Sequence, residues 1–117
     1  MIRREWERFR MRVAWSWAGW RECWRSEPSL HMWVWANLLS AGLALALDLQ
    51  PGERALILAL GILVLAAELM NTGIERAIDY ISREEHPLAR QAKDTASAAV
   101  ALTAIAAGAA WGVILLG

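Results

Sequence analysis

A single cysteine, Cys23, is all the thiol chemistry that the 117 residues contain. That excludes an internal disulfide and any Cys-based metal or redox spacing, and leaves Cys23 as a small packing residue. Internal repeats and low-complexity segments are absent, which excludes a solenoid or a disordered tail. No Gly-rich phosphate loop is present either. Lysine occurs only once, as Lys93, among twelve basic residues. The basic N-terminus lacks a short apolar run ending at a small-residue cleavage site, so the first segment is expected to stay in the mature protein. The formal net charge is zero. Local charge is therefore the informative quantity, because long stretches beyond Pro28 carry almost none.

Apolar residues, by contrast, make up 57% of the chain, and eight of its residues are tryptophan. A soluble domain of this size needs neither, so the membrane class follows. Trp6, Phe9, Val13, Trp17, Trp20 and Trp24 recur at steps of three or four, which puts them on one stripe of a helix. Arg3, Arg8, Arg12 and Arg21 fall elsewhere on its circumference. The pattern predicts an amphipathic helix lying in the membrane interface, over residues 1–27.

Three apolar stretches follow. They predict membrane spans over 30–48, over 54–80 with a cytoplasmic extension, and over 93–117, each able to cross a hydrocarbon core of roughly 30 Å. Asp48 to Arg54, "DLQPGER", reads as a tight turn broken by Pro51 and Gly52, and roughly Ile81 to Ala92 reads as a polar loop in water. Seven arginines precede the first span, and Arg76, Arg83, Arg90 and Lys93 surround the second loop. By the excess of positive charge, the N-terminus and that loop face the cytoplasm and the C-terminus faces out. The third span is rich in alanine, with Ser97, Thr103, Gly108 and Gly112, so its backbone can approach another helix closely and an oligomer is expected. The fold class is thus all-α: a surface helix and three transmembrane helices in one membrane domain, 1–117.

The segment "ELMNTGIERAID", Glu68 to Asp79, interrupts the second apolar run. At about 100° per residue, Glu68, Asn71, Glu75 and Asp79 sit near 0°, −60°, −20° and +20°, with Thr72 near +40°. This is a polar stripe three turns long rather than a random break. An ionisable side chain at membrane depth costs a few kcal/mol, so Glu68 reads as functional. Glu27 before the first span, this stripe, and Lys93 with Asp94 before the third converge at one interface. Glu27 and Glu75 suit Mg²⁺, Lys93 suits a phosphate, and the deeper Glu68 suits a base for a membrane-embedded hydroxyl. These are the parts of ATP-dependent phosphoryl transfer. His86, beside Pro87, reads as a turn former; His31 reads as an interfacial anchor and Trp111 as a belt residue on the outer side.

"ELMNTGIERAID" followed by "EEHPLARQAKDTASAAV" resembles the signature of the prokaryotic integral-membrane diacylglycerol kinases, and "WSWAGWRECWRSEP" resembles their surface helix. The resemblance implies a homotrimer in the bacterial inner membrane that transfers the γ-phosphate of Mg-ATP to a diacylglycerol hydroxyl, with active sites shared between subunits. By position it implies that Glu68 is the base, that Asn71 supports the reacting groups, and that Glu27 and Glu75 hold the metal. It further implies that Lys93 and Asp94 contact the nucleotide, and that Asp79, Ser16 and Arg8 lie near it. Leu30, His31 and Trp33 depart from the family pattern. The same architecture serves undecaprenol kinases, although "AKDTASAAV" looks closer to the diacylglycerol branch. A rival of another class is a non-enzymatic oligomer whose carboxylates bind or conduct cations. The near absence of polar residues in the first span and in the outer half of the second disfavours a conduction path.

Overall fold

All three prolines open helices, because a fixed φ and a missing N–H suit the first helical position. The structure, a computed structural model describing residues 1–117, has four helices and no strand: α1 (Ile2–Ser26), α2 (Pro28–Ala46), α3 (Pro51–Ile81) and α4 (Pro87–Leu116). Glu27 alone separates α1 from α2; its extended backbone (φ −118°, ψ 100°) turns the chain between them. Pro51 and Gly52, expected to break the chain, instead form the first turn of α3. The Gln50 N–H donates to Glu53 Oε1 at 2.8 Å in a capping box. The second loop shrinks to 82–86, and α4 begins earlier than position 93. His86 explains the early start: its Nδ1 accepts the Leu88 N–H at 3.1 Å and caps the helix. Arg54 closes the end of α2 by donating to the carbonyls of Ala44 at 2.8 Å and Leu47 at 3.3 Å.

α2, α3 and α4 are each long and apolar enough to cross a membrane. At about 46 Å, 31 residues of α3 exceed the hydrocarbon thickness, so one end stands beyond it. Only 10 of 117 residues are buried, whereas Leu38, Leu45, Ile62, Leu63, Leu102 and Ile105 are exposed. A chain that hides so little of itself is held by its surroundings, namely lipid tails or other helices. The stripe of α1 is likewise uncovered at Trp6, Phe9, Val13 and Trp17.

α3 lies between α2 and α4, whose backbones do not meet. Two hydrogen bonds that sequence reading did not anticipate join these helices at membrane depth. Asn37 Nδ2 donates to the Gly61 carbonyl, and Trp111 Nε1 donates to Ser40 Oγ at 2.8 Å. Trp111, near the C-terminal end of α4, therefore ties that helix to α2. His31 is likewise more than an anchor. Its ring stacks on Trp24 at 3.8 Å, with Nε2 2.6 Å from the Trp24 carbonyl, which joins α1 to α2.

A Cβ added at Gly61 would stand 2.7 Å from Asn37 Oδ1. Gly61→Ala is expected to destabilise the helix hairpin by about 1 kcal/mol, the scale of an intramembrane hydrogen bond plus overpacking. In an Asn37→Ala background the same change should cost less, and a double-mutant cycle of unfolding in micelles measures the coupling.

Candidate active site at one membrane face

The start of α2, the end of α3 and the start of α4 lie at the same end of the antiparallel bundle, and the polar side chains gather there. Glu68, one helical stripe inside α3, is 5% exposed, and Thr72 one turn on is 2% exposed. Glu68 Oε1 accepts a hydrogen bond from Ser29 Oγ at 2.7 Å, across the α2–α3 contact. Asn71 Oδ1 is buried with no hydrogen-bond partner, an acceptor held ready for a donor that the chain itself does not supply. Glu75 is half-buried and makes no ion pair, and Glu27 lies 3.6 Å from Arg76. Arg76 also donates to Ser26 Oγ, so one guanidinium fastens α3 to the junction of α1 and α2.

Cys23 packs beneath this junction and is buried. Burial pushes its thiol above the ordinary 9.0; Arg76 pulls the other way, and Glu27, Glu22 and Glu68 push it further up. A second group lies nearer the water. Lys93 Nζ sits 2.7 Å from Asp79 Oδ1, and both are partly exposed. They border an open cleft of about 710 Å³, with Asp94, Arg83, Arg90 and His86 also on its walls. Its walls carry three permanent cations, Arg83, Arg90 and Lys93, beside four carboxylates, Asp79, Glu84, Glu85 and Asp94, so charges of both signs face the cleft.

Of the residues singled out from sequence, Glu68 and Asn71 stand on one face of α3, and Asp79, Lys93 and Asp94 share the cleft. Arg8 and Ser16 are not brought to either group. Arg8 bonds to Glu5 and Ser16 to the Arg12 carbonyl, within α1 itself. Arg8 lies about 27 Å, and Ser16 about 15 Å, back along α1 from Ser26. Ser29 and the fastening role of Arg76 were missed. Arg76 follows Glu75 directly and could have been suspected, whereas a serine at the start of a helix carries no signal of its own.

No three His, Cys, Asp or Glu side chains converge to form a closed metal cage. The donors at hand, the carboxylates of Glu27 and Glu75 and the unpartnered Asn71 oxygen, are all hard oxygens. That set fits Mg²⁺, which keeps waters and substrate phosphates among its ligands, better than a metal that prefers nitrogen or sulfur.

These features define a class: an integral-membrane protein of three spans whose buried carboxylate and open cleft lie at one face. Comparison with known proteins narrows it. The family model described as prokaryotic diacylglycerol kinase matches residues 14–115. The chain is 42% identical over 107 residues to the diacylglycerol kinase of Pseudomonas aeruginosa, covering 90% of this chain and 85% of that one. To the diacylglycerol kinase of Escherichia coli it is 36% identical over 103 residues, covering 88% and 84%. To that of Helicobacter pylori it is 37% identical over 93 residues, covering 80% and 73%. The chain belongs to the prokaryotic diacylglycerol kinase family.

Because burial disfavours the thiolate, folded Cys23 holds its proton to higher pH than the unfolded chain does. Iodoacetamide near pH 8 should alkylate it about tenfold more slowly than a free thiol and faster once denaturant is added, as read by mass spectrometry. By the same sign, its contribution to stability is intact below 9.0 and is lost as pH climbs past that value.

Proposed function

We propose that this protein is an ATP-dependent lipid kinase that transfers the γ-phosphate of ATP to the hydroxyl of diacylglycerol at the cytoplasmic membrane face, giving phosphatidic acid. Beyond family membership, one observation carries the reading. A buried carboxylate, Glu68, sits in an apolar span at hydrogen-bond distance from an alcohol hydroxyl, which is the relation a base must have to its substrate. Glu68 takes the proton of the lipid hydroxyl as that oxygen attacks the γ-phosphorus. The bond from phosphorus to the β,γ-bridging oxygen breaks, and ADP leaves. Apolar helix faces bring the acyl chains alongside while the hydroxyl stays level with Glu68, so proximity supplies much of the rate. The Asn71 oxygen, lacking a partner, accepts a hydrogen bond from an incoming group.

Lys93 and Asp94, in the cleft with Arg83 and Arg90, bind the nucleotide. Lys93 then exchanges Asp79 for a phosphate oxygen; as a compact ammonium, it fits where a guanidinium would be too broad. Glu27 and Glu75 would hold Mg²⁺, which when bound neutralises phosphate charge. The positive charge on α1 and around the second loop supports a cytoplasmic N-terminus and an outer C-terminus. A homotrimer is supported by how little each chain buries and by the small residues of α4. Arg8 and Ser16, remote from their own chain's cluster, serve a neighbour's site in such an assembly.

The test is phosphate transfer from labelled ATP, with Mg²⁺, by purified protein in mixed micelles offered diacylglycerol and undecaprenol in parallel. Diacylglycerol should be preferred. Preference for undecaprenol would keep the mechanism and overturn the substrate, and no transfer to either lipid by folded protein would overturn the kinase reading. Glu68→Gln should lower kcat by about 10²-fold or more, with the oligomer still assembled. Lys93→Arg, which keeps the charge, should lower kcat/KM for ATP by about tenfold, and full activity would remove the argument from the lone lysine.

A further inference from the structure

The hydroxyl on Glu68 belongs to the protein. Ser29 is the second residue of α2, and its Oγ donates to Glu68 Oε1 at 2.7 Å although 39 positions separate the two in sequence. Glu68 is 5% exposed, has no ion pair, and accepts a side-chain hydrogen bond from Ser29 alone. A buried carboxylate without a donor would be costly, and Ser29 is the group that satisfies it. The same contact reproduces what phosphoryl transfer requires of a substrate: a primary alcohol O–H aimed at the base.

We propose that Ser29 is an internal mimic of the acceptor alcohol: it occupies Glu68 while the lipid is absent and must be displaced by the lipid hydroxyl before reaction. The inference rests on the reading of Glu68 as the base. Displacement needs only rotation about one side-chain bond of a half-buried serine at a helix start, with no movement of the backbone.

Two consequences follow. The first concerns water, the competing acceptor for a γ-phosphate at a membrane surface. With Ser29 on Glu68 Oε1, that oxygen is engaged and water competes less well for the base, so ATP hydrolysis is slowed while the enzyme waits for lipid. The second concerns the lipid, which must displace a hydrogen bond to a charged group, and such bonds weigh about tenfold or more in an equilibrium. Ser29 is thus a positioning and specificity residue: it lowers apparent affinity for lipid and in return makes ATP consumption depend on lipid.

The experiment compares wild type, Ser29→Ala, Ser29→Thr and Glu68→Gln, each checked for an assembled oligomer in micelles. ATP hydrolysis without lipid and the KM for diacylglycerol are measured side by side. Ser29→Ala should raise lipid-independent hydrolysis about fivefold and lower the lipid KM about threefold, within the weight of one such hydrogen bond. Ser29→Thr, which keeps the hydroxyl, should restore both. Ser29→Cys, similar in size but a weak donor, should fall between them and serves if the alanine variant folds poorly. Adding Glu68→Gln to Ser29→Ala should abolish the gained hydrolysis. If Glu68→Gln abolishes lipid phosphorylation while Ser29→Ala matches wild type in both readouts, the mimic is refuted and the base stands. If Glu68→Gln retains transfer, base and mimic fall together. Stoichiometric labelling of Ser29 by ATP would also overturn the proposal, because the serine would then be an acceptor rather than a guard.

Discussion

Burial of one carboxylate governs the arrangement of this molecule's polar end. Hydrocarbon offers Glu68 no water, so its charge is tolerable only with a donor at hand and only near a membrane face. Ser29 is that donor, and it is in place because α1 ends at Ser26 and Pro28 starts α2 one extended residue later. The junction is then fastened to α3 by Arg76 through Ser26 and Glu27. Moving any of these elements would strand the carboxylate.

The rest of the bundle provides depth and rigidity. α3 runs unbroken through 31 residues, so its apolar part fixes the height at which its polar part emerges. The Asn37 contact with Gly61 and the Trp111 contact with Ser40 lock its neighbours along the way. Both place a donor or acceptor inside a medium that cannot satisfy it, which makes the pairings directional. Little else in one chain is buried, and the exposed apolar faces leave stability to the surroundings of the chain, lipid tails or other helices.

The site is divided between an inner carboxylate and an outer cleft lined by charges of both signs. Lys93 and Asp79 meet across the α3–α4 loop, whereas Glu68 and Ser29 meet across the α2–α3 contact. A phosphate donor from water and an alcohol from lipid would thus approach from opposite sides of the membrane surface, and α3 carries a residue for each. That geometry suits a reaction whose two substrates share no solvent.

The amino-acid sequence by itself determined the helical class, the three spans, the polar stripe of α3 and the gathering of charge at one face. Each rests on a periodicity or a length that the hydrocarbon core imposes residue by residue. It also carried the family's motif, because the residues from Glu68 to Asp79 lie on one continuous helix and keep their spacing in the fold. Helix starts were less legible, since Pro51 read as a breaker and Pro87 as part of a polar loop until the caps at Gln50 and His86 showed them to be first residues of helices. Partners between helices were decided only by tertiary structure: Ser29 for Glu68, Arg76 for Glu27, Ser40 for Trp111, Asn37 for Gly61. Those pairings depend on how far helices slide and rotate against each other, and no spacing along a single helix encodes that.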